Sequence, residues 1–212
     1  MMKRLSLALF VLTATLLSPL METAKAETLI VNPKRTLNIY GPVDSGTIFT
    51  ANRLLEMTKE SKDPVYIVLN SPGGGVLSGM QVISIMRVLK SRGVEIHCVV
   101  PMMAASMAFQ FFAECTHRYA FEYSLLLWHP IRAEVNGVLT PKQAIALAED
   151  MQRYEKYMVN VLLRELDIDE ELFYKHYYNE TFHLGGGLKD MSPDFLTIIT
   201  DVVGVKQPFS MR

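Results

Sequence analysis

Short apolar runs alternate with longer segments of helical periodicity along most of the chain. Residues 65–69 are β-branched and aromatic and precede a glycine-rich turn, which predicts a buried strand. Apolar side chains then recur at helical spacing over residues 79–91, and Gly93 follows as a helix stop. Because residues 94–100 form a second apolar run, the order strand, helix, strand predicts a right-handed parallel crossover.

Shorter elements are predicted on both sides of this unit. They are a strand near residues 37–40, a helix over 47–59, a buried helix over the small and apolar residues 102–113, strands at 118–119 and 125–128, and a last helix or strand over 192–203. Strands that alternate with helices in this way place the chain in the α/β class.

One helix is expected to be much longer than the others. Thr140 is a favourable cap, Pro141 suits the first turn, and Gln143 stands at the capping-box position. The apolar positions that follow continue to Leu166, so the helix would have about 25 residues, which is long for a globular domain. A long helix with apolar residues on one face is typical of packing against another subunit.

The N-terminal segment has the pattern of a secretory signal peptide. Lys3 and Arg4 precede an apolar run of 13 residues at 5–17, and Ala24-Lys25-Ala26 ends the segment. A membrane span needs about 20 apolar residues, so a retained anchor is the weaker interpretation. We therefore expect residues 1–26 to be removed and residues 27–212 to form a single domain outside the cytoplasm, in the periplasm or the medium.

Composition and charge narrow the function classes. Of 212 residues, 50% are hydrophobic and 20% charged, which fits one globular core and excludes disorder. A formal net charge of −1 argues against a dedicated nucleic-acid binder. The two cysteines, Cys98 and Cys115, form no zinc pattern; burial as free thiols is the expected state, with a disulfide left open. His97, His117, His176 and His183 show no metal-ligand spacing, so neither a metal nor a cofactor is expected.

Three local features can carry chemistry. The turn at 71–75, Ser-Pro-Gly-Gly-Gly, follows a buried strand and can aim backbone amides at a developing negative charge, although it can equally be a tight turn. Ser106 lies among small residues at a helix start, where it is either a nucleophile beside free amides or a helix cap. His129 closes an apolar strand, where it is either a titrating base or a structural side chain.

Taken together, these residues resemble one family. Ser71-Pro72-Gly73-Gly74 after a strand, Gly79-Met80, Ala105-Ser106-Met107, and His129-Pro130 are similar to motifs of the proteolytic subunit of Clp protease. That family consists of serine peptidases with the fold shared by crotonases. The resemblance runs from about Leu37 to Phe182 and implies an α/β fold of repeated strand–strand–helix units with a long oligomerisation helix.

The resemblance also implies roles for individual residues. Ser106 matches the nucleophile and His129 the general base, while the backbone amides of Gly74 and Met107 match the oxyanion hole and Gly73 supports its turn. At the position where the family has an aspartate this chain has Glu180, which would be the third triad member. Glu180 can also be a solvated loop residue, and the fallback acids are Asp190 and Asp194.

The implied partners are a second copy of the chain and a peptide substrate. The family forms stacked seven-membered rings, and the helix over residues 143–166 stands where its long helix reaches the opposite ring. An exported chain would lack an ATP-driven unfoldase, so hydrolysis of short or unfolded peptides is expected. Two departures are that His129 and Pro130 are adjacent, without the usual intervening residue, and that the segment from Leu184 cannot be aligned.

Three other functions remain open. A Ser-Lys peptidase of the signal-peptide-peptidase type would use Lys142 or Lys156 as its base. A crotonase-type acyl-CoA enzyme uses similar amide pairs but would not require Ser106. A scaffold without catalysis is favoured by Glu180 and opposed by the intact serine and histidine.

Overall fold

A computed structural model describes residues 27–205 of the chain, so the expected signal peptide lies outside the described residues. The strands are β1 (Thr28–Ile30), β2 (Thr36–Tyr40), β3 (Val65–Asn70), β4 (Ile96–Val100), β5 (Met103–Ala105), β6 (His117–Ala120), β7 (Leu125–Leu127), β8 (His183–Leu184), β9 (Thr197–Ile198) and β10 (Asp201–Val203). The α-helices are α1 (Ser45–Met57), α2 (Val76–Ser91), α3 (Met107–Glu114), α4 (Pro141–Leu166), α5 (Glu170–Asn179) and α6 (Gly185–Met191).

A five-stranded parallel sheet in the order β2-β3-β4-β6-β9 forms the centre of the fold. The crossover predicted over residues 65–100 is confirmed as parallel, because β3 and β4 pair in parallel on either side of α2. Ile67, Leu69 and Cys98 are fully buried beneath α1 and α2, together with Leu54 and Met86 from those helices. The α/β class expected from the sequence is therefore correct.

The small second sheet brings the chemistry-bearing segments together. Its order is β5-β7-β8, with β5 and β7 parallel. The prediction of one helix over residues 102–113 was wrong in its first part, because Met103–Ala105 is a strand and the helix begins only at Met107. Pairing with Leu125–Leu127 and a bridge from Ser71 to Ala104 hold that segment extended. Residues 192–203, predicted as a helix or a strand, contain the strands β9 and β10.

The two cysteines are joined in a disulfide, which corrects the expectation of free thiols. Cys98 lies in β4 and Cys115 directly after α3, and their Cα atoms are 6.0 Å apart. The apolar environment that suggested buried thiols is real, since both residues are at most 1% exposed. Burial alone does not decide between a thiol and a disulfide; the pairing of β4 with β6 brings the two sulfur atoms together.

The long helix α4 has 26 residues and begins at the expected cap, where Thr140 and Gln143 form a capping box. Its buried side chains all lie in its second half, from Val159 to Leu166. The first ten residues of the helix are exposed apart from Leu147, which is half-buried, and Ile145 is 61% exposed. Within residues 27–205, no helix combines the length and the apolar character needed to cross a membrane.

Candidate active site

Ser106 lies at the sharp turn between β5 and α3. Its backbone has φ of +56°, in a region that a residue with a Cβ rarely adopts, at a cost on the order of 1–3 kcal/mol. A hydrogen bond from its amide to the carbonyl of Leu127, 2.9 Å long, contributes to holding this turn. The side chain makes no capping hydrogen bond to α3, so the alternative role of a helix cap is not observed. Strain of this kind at a strand-to-helix turn is typical of an exposed nucleophile.

The glycine turn after β3 packs directly against Ser106. Gly73 has φ of +90°, and a Cβ on it would lie 2.5 Å from the Cβ of Ser106. Gly74 is bridged to Val43, whose amide donates to the Gly73 carbonyl and whose carbonyl accepts from Gly75, both at 2.8 Å. Only glycine fits at these two positions, because side chains there would strike backbone atoms.

This packing leaves two backbone amides without partners. Within the described residues, neither the amide of Gly74 nor that of Met107, the first residue of α3, donates a hydrogen bond. The Met107 amide also lies at the positive end of the helix dipole. Two free amides on either side of a serine can stabilise a negatively charged oxygen there.

His129 follows β7 and lies half-buried on the same side of the molecule. Its Nδ1 lies 2.7 Å from the carbonyl oxygen of Pro130. A carbonyl can only accept, so Nδ1 is the donor and Nε2 carries the lone pair of the neutral ring. Burial lowers the pKa of His129; the bond to Pro130 opposes this, and the charge of Arg132 lowers the pKa further. The ring is therefore neutral at pH 7 and able to accept a proton.

One cavity of about 190 Å³ joins these groups. Gly74, Ser106, Met107 and His129 line it on the polar side, and Val76, Trp128, Met158 and Leu162 are among its apolar lining residues. Trp128, next to the histidine, is fixed by the ring of His183, which stacks on it at 4.5 Å. No hydrogen bond joins Ser106 to His129 in the described part of the chain. Such bonds often form only when substrate is present.

A comparison with protein-family models identifies the family of the chain. The model described as Clp protease matches residues 18–183, which is more than half of the chain. The chain belongs to the Clp protease family. Membership implies a serine peptidase, and the family generally forms oligomeric rings.

The expected third triad residue, Glu180, is not hydrogen-bonded to His129 in the described part of the chain. Glu180 ends α5 and its carboxylate pairs with the guanidinium of Arg132, whereas His129 bonds to Pro130. Asp190 and Asp194, the fallback acids, are exposed to solvent. Neither Arg132 nor the Pro130 carbonyl was expected from the sequence to have a role in the site. The sequence did contain a signal for the Pro130 carbonyl. In this chain Pro130 directly follows His129, whereas members of the Clp protease family normally have one residue between the two.

No lysine lines the cavity around Ser106. Lys142 and Lys156 both lie on exposed positions of α4. The geometry of the described residues therefore gives no support to a Ser-Lys arrangement.

Proposed function

We propose that the chain is a serine endopeptidase in which Ser106 is the nucleophile and His129 the general base. The observation that carries the proposal is the cavity itself: a serine at a strained turn, a neutral imidazole and two free amides all line it. A structural turn would not need strain at a non-glycine residue and unpaired amides at the same point.

The reaction follows from these positions. As Ser106 Oγ attacks the scissile carbonyl carbon, His129 Nε2 takes the hydroxyl proton, and the amides of Gly74 and Met107 bind the oxygen that becomes negative. His129 then gives that proton to the leaving amine as the C–N bond breaks. Water, deprotonated by His129, hydrolyses the acyl-enzyme and restores the serine hydroxyl.

In this proposal the Pro130 carbonyl orients the ring of His129, which is normally the role of the acid in this family. It fixes the tautomer of His129 through Nδ1, at 2.7 Å. A neutral carbonyl stabilises the imidazolium less than a carboxylate does, so we expect a slower enzyme than one with a full triad. Glu180, held by Arg132, is then dispensable.

The substrate is proposed to be an extended peptide, short or unfolded. The site cavity shares Val76, Ile131 and Arg132 with a second cavity of about 400 Å³, whose apolar residues include Leu77, Leu147 and Met151. An extended chain can run from one into the other, whereas a folded domain cannot enter spaces of this size. No unfolding partner is needed for such substrates, so we propose that hydrolysis requires no ATPase.

We also propose that the chain acts outside the cytoplasm as a homo-oligomer. A disulfide between Cys98 and Cys115 suits an oxidising compartment, and residues 1–26 have the pattern of an export signal. The exposed first half of α4, with Ile145 61% exposed, supports contact with a second copy. Mass spectrometry of the protein recovered from the periplasm should give a chain that begins at Glu27, and sedimentation should give a multiple of the monomer mass.

The experiment that tests the activity is labelling with a fluorophosphonate, which reacts only with an activated serine. We expect the purified protein to be labelled, Ser106→Ala to be unlabelled, and the exposed-site control Ser84→Ala to behave like the wild type. Circular dichroism checks that the unlabelled variant is folded. A folded wild type that stays unlabelled would contradict the proposal and favour a scaffold without catalysis.

A second variant separates the kinds of peptidase. His129→Gln should lower labelling and the hydrolysis of a fluorogenic peptide by at least about 10³-fold, measured without ATP. A Ser-Lys enzyme would keep its activity in this variant.

A further inference from the structure

A second cluster of chemically active side chains lies at the opposite end of the central sheet from the active site. Glu95 directly precedes β4, His97 lies within β4, and His117 is the residue paired with it at the start of β6. Their ligand atoms all lie within 4.8 Å of one another. The cluster depends on the pairing of neighbouring strands. His97 and His117 are 20 positions apart in the sequence but are paired with each other across β4 and β6.

Both imidazoles converge on one carboxylate oxygen. Glu95 Oε2 lies 3.5 Å from His97 Nε2 and 3.8 Å from His117 Nε2. Ligands about 2.0–2.1 Å from a tetrahedral zinc ion are separated by about 3.4 Å from each other. The two carboxylate–imidazole distances are therefore within a few tenths of an ångström of the spacing in a coordination shell, and all the ligand atoms lie within 4.8 Å of one another.

His97 has the environment of a metal ligand. Its Nε2 is buried and makes no hydrogen bond of ordinary geometry within the described residues; its contact with Glu95 Oε2, at 3.5 Å, is a long one. Its other ring nitrogen, Nδ1, lies 3.3 Å from the hydroxyl of Tyr119. A metal-bound histidine typically uses its second nitrogen in this way, which fixes the ring and leaves the first nitrogen for the ion.

We propose that Glu95, His97 and His117 bind a divalent transition-metal ion of the zinc class. Two imidazole nitrogens and one carboxylate oxygen are ligands that zinc accepts, and a water molecule would complete the shell. Both cysteines of the chain are joined in the disulfide, so no thiolate competes for the ion.

Access and rigidity favour binding from solution. The side chains of Glu95 and His117 are 56% and 45% exposed, so an ion can reach them. The disulfide joins Cys98, next to His97, to Cys115, two residues before His117, and so holds the two ligand-bearing segments together. Because the site is separate from Ser106, metal binding and serine reactivity can be measured independently.

The test is isothermal titration calorimetry of the purified protein, freed of metal with EDTA, against zinc chloride at pH 7.5. We expect one zinc ion per chain with a dissociation constant below about 10 µM. Glu95→Gln and His117→Gln should each weaken binding by at least about 10-fold. Both replaced side chains are about half exposed, so the variants should fold, which circular dichroism checks. His176→Gln and Glu60→Gln are the matched controls and should bind as the wild type does.

A second readout is the melting temperature, because an ion that binds only the folded state stabilises it. Zinc should raise the melting temperature of the wild type and of both controls, and raise it less in the two cluster variants. No binding by the wild type would overturn the proposal, and so would equal affinity in the wild type and in Glu95→Gln and His117→Gln. Either result would leave the three residues as an ion pair between histidines and a carboxylate.

Discussion

The two ends of the central sheet differ in how their functional groups are assembled. At the carboxyl end, Ser106 and the Gly73-Gly74 turn follow strands directly, and strained backbone and free amides define the site. At the amino end, His97 and His117 are side chains in relaxed strand conformation, brought together only by the pairing of β4 with β6.

This difference determines what substitutions do at each end. A site formed by backbone groups does not tolerate a larger side chain, because the backbone amides and carbonyls are fixed by the fold and cannot move to make room for it. A site made of exposed side chains on regular strands can lose its ligands while the fold persists. The predictions below test this contrast, beginning with the largest effect.

Among the substitutions that leave Ser106 and His129 in place, the largest effect is expected from Gly73→Ala. The new Cβ would lie 2.5 Å from the Cβ of Ser106 and 2.6 Å from the carbonyl oxygen of Ala105, at a φ of +90°. We expect a loss of at least about 100-fold in fluorophosphonate labelling, comparable to removing an oxyanion donor, and a stability loss of about 3 kcal/mol or more.

The matched control is Gly187→Ala at an exposed position of helix α6, where a Cβ would meet nothing within 4 Å. Labelling should be unchanged and the protein slightly more stable, by about 0.4–1 kcal/mol. Equal damage from both variants would show that the turn at Gly73 is not special. Chemical denaturation measures the two free energies of unfolding.

The same contrast explains which parts of the molecule could be predicted from the sequence. The buried strand β3, the helix α2 and the capped start of α4 each have a local signal, and each was predicted to within a few residues. The turn at Gly73 and the position of Ser106 are also local. The strand β5 was predicted as part of a helix, because its three residues are held extended by pairing with β7 rather than by propensity. The elements β1, α5, β8 and α6 were not predicted from the pattern at all.

Contacts between distant segments could not be predicted. The disulfide, the pairing of Arg132 with Glu180 and the cluster at Glu95 all depend on which strands and loops become neighbours. The spacing of residues along the sequence carries no information on such contacts. For this reason the expectation of free thiols was wrong, and the histidines showed no metal-ligand pattern in the sequence. Glu180 was favoured by a family motif. In the structure it ends α5 with a left-handed backbone, at φ of +50°, and its carboxylate forms an ion pair with Arg132.

The second prediction concerns the amino end. Replacing Cys98 and Cys115 together by alanine removes a crosslink over a sequence separation of 17, which should cost about 3 kcal/mol. For a domain of this size the melting temperature should fall by about 6–12 °C. Zinc binding should weaken, because the crosslink holds the segments that carry His97 and His117.

Fluorophosphonate labelling of the cysteine-free variant should remain within about twofold of the wild type at 25 °C, since the folded site at the other end is unchanged. Loss of labelling in a folded variant would contradict the independence of the two ends. Wild-type protein reduced with a thiol reagent is the control, and should show the same fall in melting temperature.

The third prediction is the pH dependence of labelling. His129 acts as a base only when neutral, so reactivity falls as the pH drops through its pKa. Because burial lowers that pKa, the midpoint should lie below the ordinary value of 6.5. Arg132→Ala removes a positive charge that lowers the pKa of His129, so its midpoint should move upward. The exposed Arg153→Ala, which loses only a pair with Asp150, should leave the midpoint unchanged. A wild-type midpoint above 6.5 would mean that a carboxylate stabilises the imidazolium.

The smallest effect is expected at the residue that the family motif favours most. In Glu180→Gln the carboxylate is lost but the shape is kept, and we expect labelling to fall by less than about threefold, because His129 Nδ1 is bonded to Pro130 rather than to this side chain. Loss of the acid from a complete Ser-His-Asp triad costs about 10⁴-fold, so the two outcomes are easily separated. A fall of that size would mean that Glu180 leaves Arg132 and reaches His129 during catalysis. A small effect would mean that a backbone carbonyl orients the histidine, just as backbone amides form the oxyanion hole. At the carboxyl end of the sheet, side chains would then supply only the nucleophile and the base.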